Sequence, residues 1–413
     1  MKGKIKVLCL FDYLCDTGFG TVSKNIVSEL KKEFGNNLVL HICAINYFGE
    51  NFYQDENTYI ISAKNNDEKS DTYGRFLFLK MINDIDDYDG VFVCQDLGII
   101  VPIIQHLEYI KQNKKENNKK SFKSIFYFPI DNQIVFELTE GLEFFDLLVT
   151  YTEFAKKEIL KHRPELKTKI KVIPHGNNPK DFYELTASEK IKFRKEYFGD
   201  NADKFIISNI NRNQPRKDIP NTIFGFIEAK KNWKELNEPF LYLHCNPKDA
   251  LGWDITALMH QTNLVEDVDY KLIPYEYENF YVDVETLNKI YNASDCYLTT
   301  TMGEGWGLTY SEAAACKLPI IAPYSTSFIE MSENGKNAFM LYTLYPFCGI
   351  NDSTIRQQTD LYEVADTIIE VAKQRYSGGD EIITKTEKNY KWSKSLDWKI
   401  VCKSWINYFK EVF

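Results

Sequence analysis

The sequence predicts an α/β protein built from two doubly wound halves in series. Three observations lead there. At 413 residues the chain is longer than one hydrophobic core usually organises. Short apolar runs alternate with stretches of helical periodicity, as in parallel sheets with helices on both faces. The alternation then restarts after residue 180.

Residues 5–11 read as a buried strand, and the turn Asp16-Thr17-Gly18-Phe19-Gly20 leads into a helix whose apolar face is Val22, Ile26, Val27 and Leu30. Further strands are predicted at 38–44, 90–94, 124–128, 147–151 and 170–173, making six in the first half. The boundary falls at Asn177-Asn178-Pro179, which gives domains 1–178 and 179–395. In the second half the strands are 205–209, 240–244, 270–273, 296–299 and 318–322, with helices at 222–233 and 284–291 among those between them. The stretch 396–413 places Trp398, Val401, Trp405, Ile406 and Phe409 on one helical stripe.

Composition narrows the function. A hydrophobic content of 44% with 26% charged residues is globular. The net charge of −9 argues against gripping duplex nucleic acid, so a nucleic-acid partner is not expected. Nine cysteines are scattered without a CxxC pair, and Cys9, Cys43, Cys94 and Cys296 lie in apolar runs, which suits a reducing compartment. No apolar run approaches the ~18 residues of a membrane span, and the start MKGKIKVLCLF reads as a first strand, not a signal peptide. A cytoplasmic protein is the expectation. Residues 111–123 hold six lysines against one acid. They read as a solvated loop, with contact to an acidic acceptor or a membrane surface as the alternative.

The most informative segment is 299–323. It sets Glu304 and Glu312 eight positions apart across a loop-to-helix junction, with Gly303, Gly305 and Gly307 in the loop and a helix predicted from about 309 to 316. Glycines before a helix let the backbone approach a ligand and leave N–H groups free to face an anion. Ionised carboxylates are pure acceptors and suit sugar hydroxyls. The plain alternative is a core helix with an incidental acidic cap.

Residues 304–322 closely resemble the E-x7-E signature of the retaining GT-B glycosyltransferases of group 1 (family 4). The match runs through Glu304-Gly305-Trp306-Gly307-Leu308, Glu312-Ala313 and Pro319-Ile320-Ile321-Ala322. Lys317 departs from it, since the family ends this helix with glycine; a left-handed cap costs another residue about 1 kcal/mol. The resemblance implies two Rossmann-like domains facing a central cleft, the first completed by a C-terminal helix at 396–413. It implies sugar transfer from a nucleotide-diphosphate donor, as co-substrate, to an acceptor hydroxyl. No metal or other cofactor is implied, and the acceptor is unspecified.

By the same resemblance Glu312 binds ribose hydroxyls and Glu304 the donor sugar. Arg212 and Lys217, five apart, clamp the diphosphate, while Arg216 between them receives no role. A solvated basic turn is the alternative for this stretch. Backbone N–H groups of Gly20, Leu308 and Thr309 would add to the clamp, with Gly18 and Thr21 beside them; Gly305 and Gly307 allow close approach. Asn177 falls in a hinge turn near the cleft and would contact the donor, while His175 beside it is a hinge residue. Ile273-Pro274-Tyr275 would supply backbone contacts or stacking to the base, and 243–247 would approach the donor. Trp306 would either cover the sugar or pack under its loop. The family's histidine near the end of the fourth predicted strand is missing, and Asp131 stands nearest to its place, to hydrogen-bond the donor sugar or orient the acceptor, with a plain turn residue at a strand end as the alternative. Two other readings fit the motif: a GT-B nucleotide-sugar epimerase or hydrolase, and a non-catalytic nucleotide-sugar binding module.

Overall fold

The computed structural model describes residues 3–63, 71, 73–234, 237–274, 281–349 and 354–413. The chain divides into two compact units: residues up to Gly176 together with Trp398–Phe413, and Asn177–Asp397.

The first unit carries an eight-stranded sheet. Its strands are β1 (Ile5–Phe11), β2 (Leu38–Ala44), β3 (Phe52–Asp55), β4 (Thr58–Ser62), β5 (Gly90–Cys94), β6 (Lys123–Phe128), β7 (Leu147–Thr150) and β8 (Ile170–Val172). They lie in the order β3-β4-β2-β1-β5-β6-β7-β8. Every neighbouring pair is parallel except β3 with β4. Helices α1 (Gly18–Phe34), α2 (Arg75–Asp84), α3 (Leu97–Glu116) and α4 (Glu153–His162) cross between strands. Val22, Ile26, Val27 and Leu30 of α1 are buried, as their spacing requires. The last helix, Trp398–Val412, belongs to this unit: Trp405 packs its ring on Phe92 and Tyr127.

The prediction of six strands here is corrected to eight. The additional β3 and β4 come from NFYQDENTYIIS, whose polar residues interrupt any alternation. The lysine run is a solvated loop only in part: residues 117–121 form an exposed loop between the end of α3 and the start of β6, while Lys114 is buried on α3. Acids pair with most of it: Lys111 and Lys123 with Asp146, Lys114 and Lys119 with Asp86, and Lys120 with Asp89.

The second unit opens with α5 (Ala187–Phe198) and carries a parallel sheet of β9 (Phe205–Ile210), β10 (Pro239–His244), β11 (Tyr270–Leu272), β12 (Cys296–Leu298), β13 (Ile320–Pro323) and β14 (Phe339–Leu341). Helices α6 (Ile219–Lys231), α7 (Ile255–His260), α8 (Val284–Ala293), α9 (Leu308–Ala315) and α10 (Thr326–Met331) connect them. An antiparallel hairpin, β15 (Thr343–Cys348) with β16 (Ile355–Thr359), was not predicted. Helices α11 (Leu361–Ser377) and α12 (Asp380–Lys394) follow. The sheet order is β11-β10-β9-β12-β13-β14, the two-winged order of dinucleotide-binding sheets. Its core joins Ile207, Leu241, Leu298 and Ile321 to Ile223, Phe226, Val364 and Ile368.

Both ends of α9 are set by special backbone. Gly307 precedes it at φ 102°, and a Cβ there would lie 2.5 Å from the Phe328 ring. The helix closes at Lys317, with φ 57°. The Lys317 N–H donates to the Ala314 carbonyl and the Leu318 N–H to that of Ala313, both at 3.1 Å, a Schellman closure without its usual glycine. Ion pairs from Lys317 to Glu387 and Glu184 hold the side chain in place.

Candidate active site

In the second unit the strand order reverses between β9 and β12, so their following helices leave in opposite directions. The crevice this opens at the carboxyl ends of the strands is where open α/β sheets bind ligands. Two loops emerge there, 211–218 from β9 and 299–307 from β12. Side chains stitch them together. Asn211 Nδ2 donates to Asn209 Oδ1 at 2.9 Å, and Asn209 Nδ2 to Thr222 Oγ1 at 2.9 Å. The Thr222 and Thr300 hydroxyls lie 2.7 Å apart, and Thr300 donates to the Asp218 carbonyl at 2.8 Å. The Arg216 carbonyl accepts from the Met302 N–H at 2.7 Å and from Thr301 Oγ1 at 3.1 Å. These bonds satisfy buried backbone groups and leave the loops little freedom.

Glu304 is buried on this platform. Its Oε1 accepts from Lys217 Nζ, and its Oε2 lies 3.0 Å from Arg216 Nη1. The same Arg216 nitrogen donates to the Gly303 carbonyl at 2.9 Å, and the Glu304 N–H donates to Thr326 Oγ1 at 3.0 Å. Burial pushes the Glu304 carboxyl up, but Arg216 and Lys217 together overcome it and hold the group at about 2. Glu304 is therefore a carboxylate at any physiological pH.

Glu312, about one turn into α9, meets no such cation among the described residues. One of its oxygens accepts from the Tyr291 hydroxyl of α8 at 2.8 Å. Burial raises its carboxyl to about 7, against the Tyr291 hydrogen bond and with Asp181 adding to the rise. Its neighbour Ser311 is held by Asn177, whose Nδ2 donates to the Ser311 carbonyl at 2.7 Å and whose Oδ1 accepts from Ser311 Oγ at 3.0 Å. The Asn177 N–H donates to the Leu396 carbonyl at 2.6 Å. Asn177 thus anchors α9, a role its place in a hinge turn did not signal.

The other predicted residues of this unit divide between loop and surroundings. Leu308 and Thr309 are the first residues of α9, half-buried, with N–H groups that precede its first intrahelical bond. Gly305 is buried in the loop. Trp306 packs under it, its ring stacked on Trp392 with centroids 6.2 Å apart. Arg212 is more than half exposed, and its Nε donates to Asp249 at 3.0 Å. Ile273 is buried, with its N–H donating to the Leu243 carbonyl at 3.0 Å; Tyr275 lies outside the described residues. His244 lies 2.9 Å from the Tyr242 hydroxyl, and burial lowers it to about 4. A separate, mostly apolar cavity of about 420 Å³ touches the back of the loops at Asp218 and Met302, and Phe224, Trp253, Leu258 and Phe347 form its wall.

In the first unit the turn after β1 is tight. A Cβ on Gly20 would sit 2.0 Å from the Cys15 carbonyl, so only glycine fits. The Gly20 N–H donates to Thr17 Oγ1 at 3.0 Å, and that hydroxyl donates to Asp12 Oδ2 at 2.5 Å. Gly18 begins α1, and both it and Thr21 are exposed. Asp131 is half-buried in the loop after β6. His175 is buried among aromatic rings, 4.0 Å from Tyr151 by centroid, and burial lowers it to about 3. It is a neutral packing residue.

Sequence reasoning did not give a role to Arg216 or Tyr291. Arg216 adjoins the chosen Lys217, but no spacing rule distinguishes it. Tyr291 comes from a different helix and carries no local signal.

The chain is similar to proteins of known fold and family. The family model described as glycosyl transferases group 1 matches residues 271–345, which contain both glutamates. The α-monoglucosyldiacylglycerol synthase of Acholeplasma laidlawii is 29% identical over 179 residues, 43% of this chain and 41% of that protein. The chain matches less than half the length of the curated relatives it resembles. Among solved structures, sucrose-phosphate synthase from Thermosynechococcus elongatus superposes with a TM-score of 0.71 at 13% identity, covering 99% of each chain. Anabaena HepE in complex with UDP and glucose gives 0.67 at 13% identity, covering 98% of this chain and 100% of that one. The fold is GT-B, with two Rossmann-like domains, and residues 271–345 match the group 1 glycosyltransferase model.

Proposed function

We propose that this chain is a retaining glycosyltransferase that moves a sugar from a nucleoside diphosphate donor to an acceptor hydroxyl without a metal ion. The observation that carries the reading is the buried Glu304 carboxylate set between Lys217 and Arg216 on the two loops at the strand-order reversal. A departing nucleoside diphosphate gathers negative charge, and a fixed cation in a water-poor site is worth roughly 3 kcal/mol to that step. Lys217 supplies the cation, and the exposed Arg212 can turn from Asp249 to add a second. The first N–H groups of α9 complete the anion site. Glu304 accepts hydroxyls of the donor sugar, and Glu312, when ionised, those of the ribose.

In the step itself the bond from the sugar's anomeric carbon to the phosphate oxygen breaks. The bond to the acceptor oxygen forms on the same face, and the acceptor's proton passes to the leaving phosphate oxygen. UDP-glucose is the first donor to test, because a structural neighbour is described with UDP and glucose and the curated relative is named for glucosyl transfer. Acceptors are drawn from the two classes in those names, a lipid hydroxyl and a sugar phosphate. The experiment is product NMR after incubation with donor and acceptor. An α-linked product from the α-linked donor is expected. A β-linked product contradicts retention, and donor hydrolysis that ignores every acceptor contradicts transfer.

A further inference from the structure

Two cations meet Glu304, and they are attached differently. Lys217 brings a single ammonium to Oε1 on a flexible stem. Arg216 is bracketed to the loop that carries Glu304 at four points. Its Nη1 reaches Oε2 and the Gly303 carbonyl, while its own carbonyl accepts from the Met302 N–H and the Thr301 hydroxyl. A planar guanidinium suits such a two-point hold, whereas an ammonium acts as a point charge. A diphosphate entering the site offers Lys217 more negative charge than one carboxylate does.

Resting on the function proposed above, we infer that Arg216 is the positioning residue for Glu304. It keeps Oε2 and the Gly303 carbonyl in place when Lys217 moves to the diphosphate. Oε1, vacated by Lys217, then becomes the acceptor for a donor-sugar hydroxyl. The carboxylate thus changes partner without changing position, and recognition of the sugar is coupled to the arrival of the diphosphate. Among the described residues Tyr297 also feels this carboxylate: burial raises its hydroxyl first, and Glu304 adds to the rise.

The test uses the full chain with Arg216→Met, Arg216→Lys and Lys217→Met. Carboxyl ¹³C NMR titration without ligand follows Glu304, assigned by its loss in Glu304→Gln. Removing one close cation moves a carboxyl by about one to three pH units, so Arg216→Met is expected to raise Glu304 by that much and Arg216→Lys by less. With ligand, Arg216→Met is expected to bind UDP within about threefold of the parent while kcat falls about 100-fold, the effect of a misplaced reacting group. Lys217→Met is expected to weaken UDP itself. Arg216→Lys serves as the folded control and is expected to recover part of kcat.

An unmoved Glu304 titration in Arg216→Met overturns the inference. So does a loss of UDP binding equal to that of Lys217→Met, which makes Arg216 a phosphate ligand. If the parent chain binds and turns over no nucleotide sugar, the proposed function fails, and the ligand-free titration still decides whether Arg216 holds Glu304.

Discussion

Glu304 and Glu312 belong to one motif, eight positions apart, yet their surroundings drive them in opposite directions. Burial acts on both and favours the neutral acid. At Glu304 two cations from the loop after β9, Arg216 and Lys217, reverse it, and the carboxyl stays at about 2. At Glu312 a tyrosine hydroxyl faces the group in place of a cation, and the carboxyl rises to about 7. Spacing along the chain identifies which carboxylates share a site. The loops folded against them decide which one is permanently charged and which one titrates.

The largest effect is expected from removing the permanent charge. Glu304→Gln strands Lys217 and Arg216 beside a neutral amide, and breaking a buried pair costs about 3 kcal/mol, the low end of the usual range because Arg216 still reaches water. Because the folded carboxyl lies below its unfolded value, its contribution is complete above the ordinary glutamate range and disappears as pH falls toward about 2. Urea unfolding at pH 7 and pH 3 is expected to show a gap between parent and variant that narrows at the lower pH, and equal stabilities at pH 7 would break the comparison.

Next comes the cation. Lys217→Met leaves Arg216 on Glu304 but removes a charged hydrogen bond to the diphosphate. UDP affinity, measured by calorimetry, is expected to drop about 10- to 100-fold. Unchanged affinity would assign the diphosphate to other residues.

The titrating partner gives a smaller and pH-dependent effect. A carboxyl at about 7 is ionised at pH 8 and mostly protonated at pH 6. Donor affinity in the parent is therefore expected to weaken by about tenfold over that interval as the ribose loses its carboxylate. Glu312→Gln should be weak and flat across it. A parent profile with no inflection near neutrality would contradict the assignment of ribose to Glu312.

The smallest effect concerns the scaffold alone. Lys317→Gly relieves a left-handed residue but gives up the pairs with Glu387 and Glu184. A net gain below about 1 kcal/mol is expected in urea unfolding, with donor affinity unchanged, which separates the helix end from the site.

Much of this was legible before any coordinates. Strands such as 5–11 and 90–94 are largely apolar runs, and a parallel sheet buried on both faces writes itself that way. The segment 304–322 was legible because its loop, helix and strand are contiguous, so a local pattern contains the whole unit. The αL cap at Lys317 could also be anticipated, since the pattern called for glycine there. What escaped was set by distant contacts. Strands β3, β4, β15 and β16 are only four to six residues long, and their antiparallel pairing, not their composition, makes them strands. The ion pairs of the lysine run were hidden because Asp86, Asp89 and Asp146 are remote in sequence from most of it. Arg216, Tyr291 and the Asn177 anchor were invisible for the same reason, since each acts on a residue from another element.

The most direct measurement is a thermal-shift titration of the full chain with UDP-glucose and a panel of other nucleotide sugars at pH 8, beside Lys217→Met. At a hundredfold excess over Kd a true donor adds about 2.7 kcal/mol to stability, which moves the transition clearly. The account predicts a shift with one donor that the variant loses. A shift of equal size in Lys217→Met, or none with any nucleotide sugar, would contradict the claim that these two loops hold a nucleoside diphosphate.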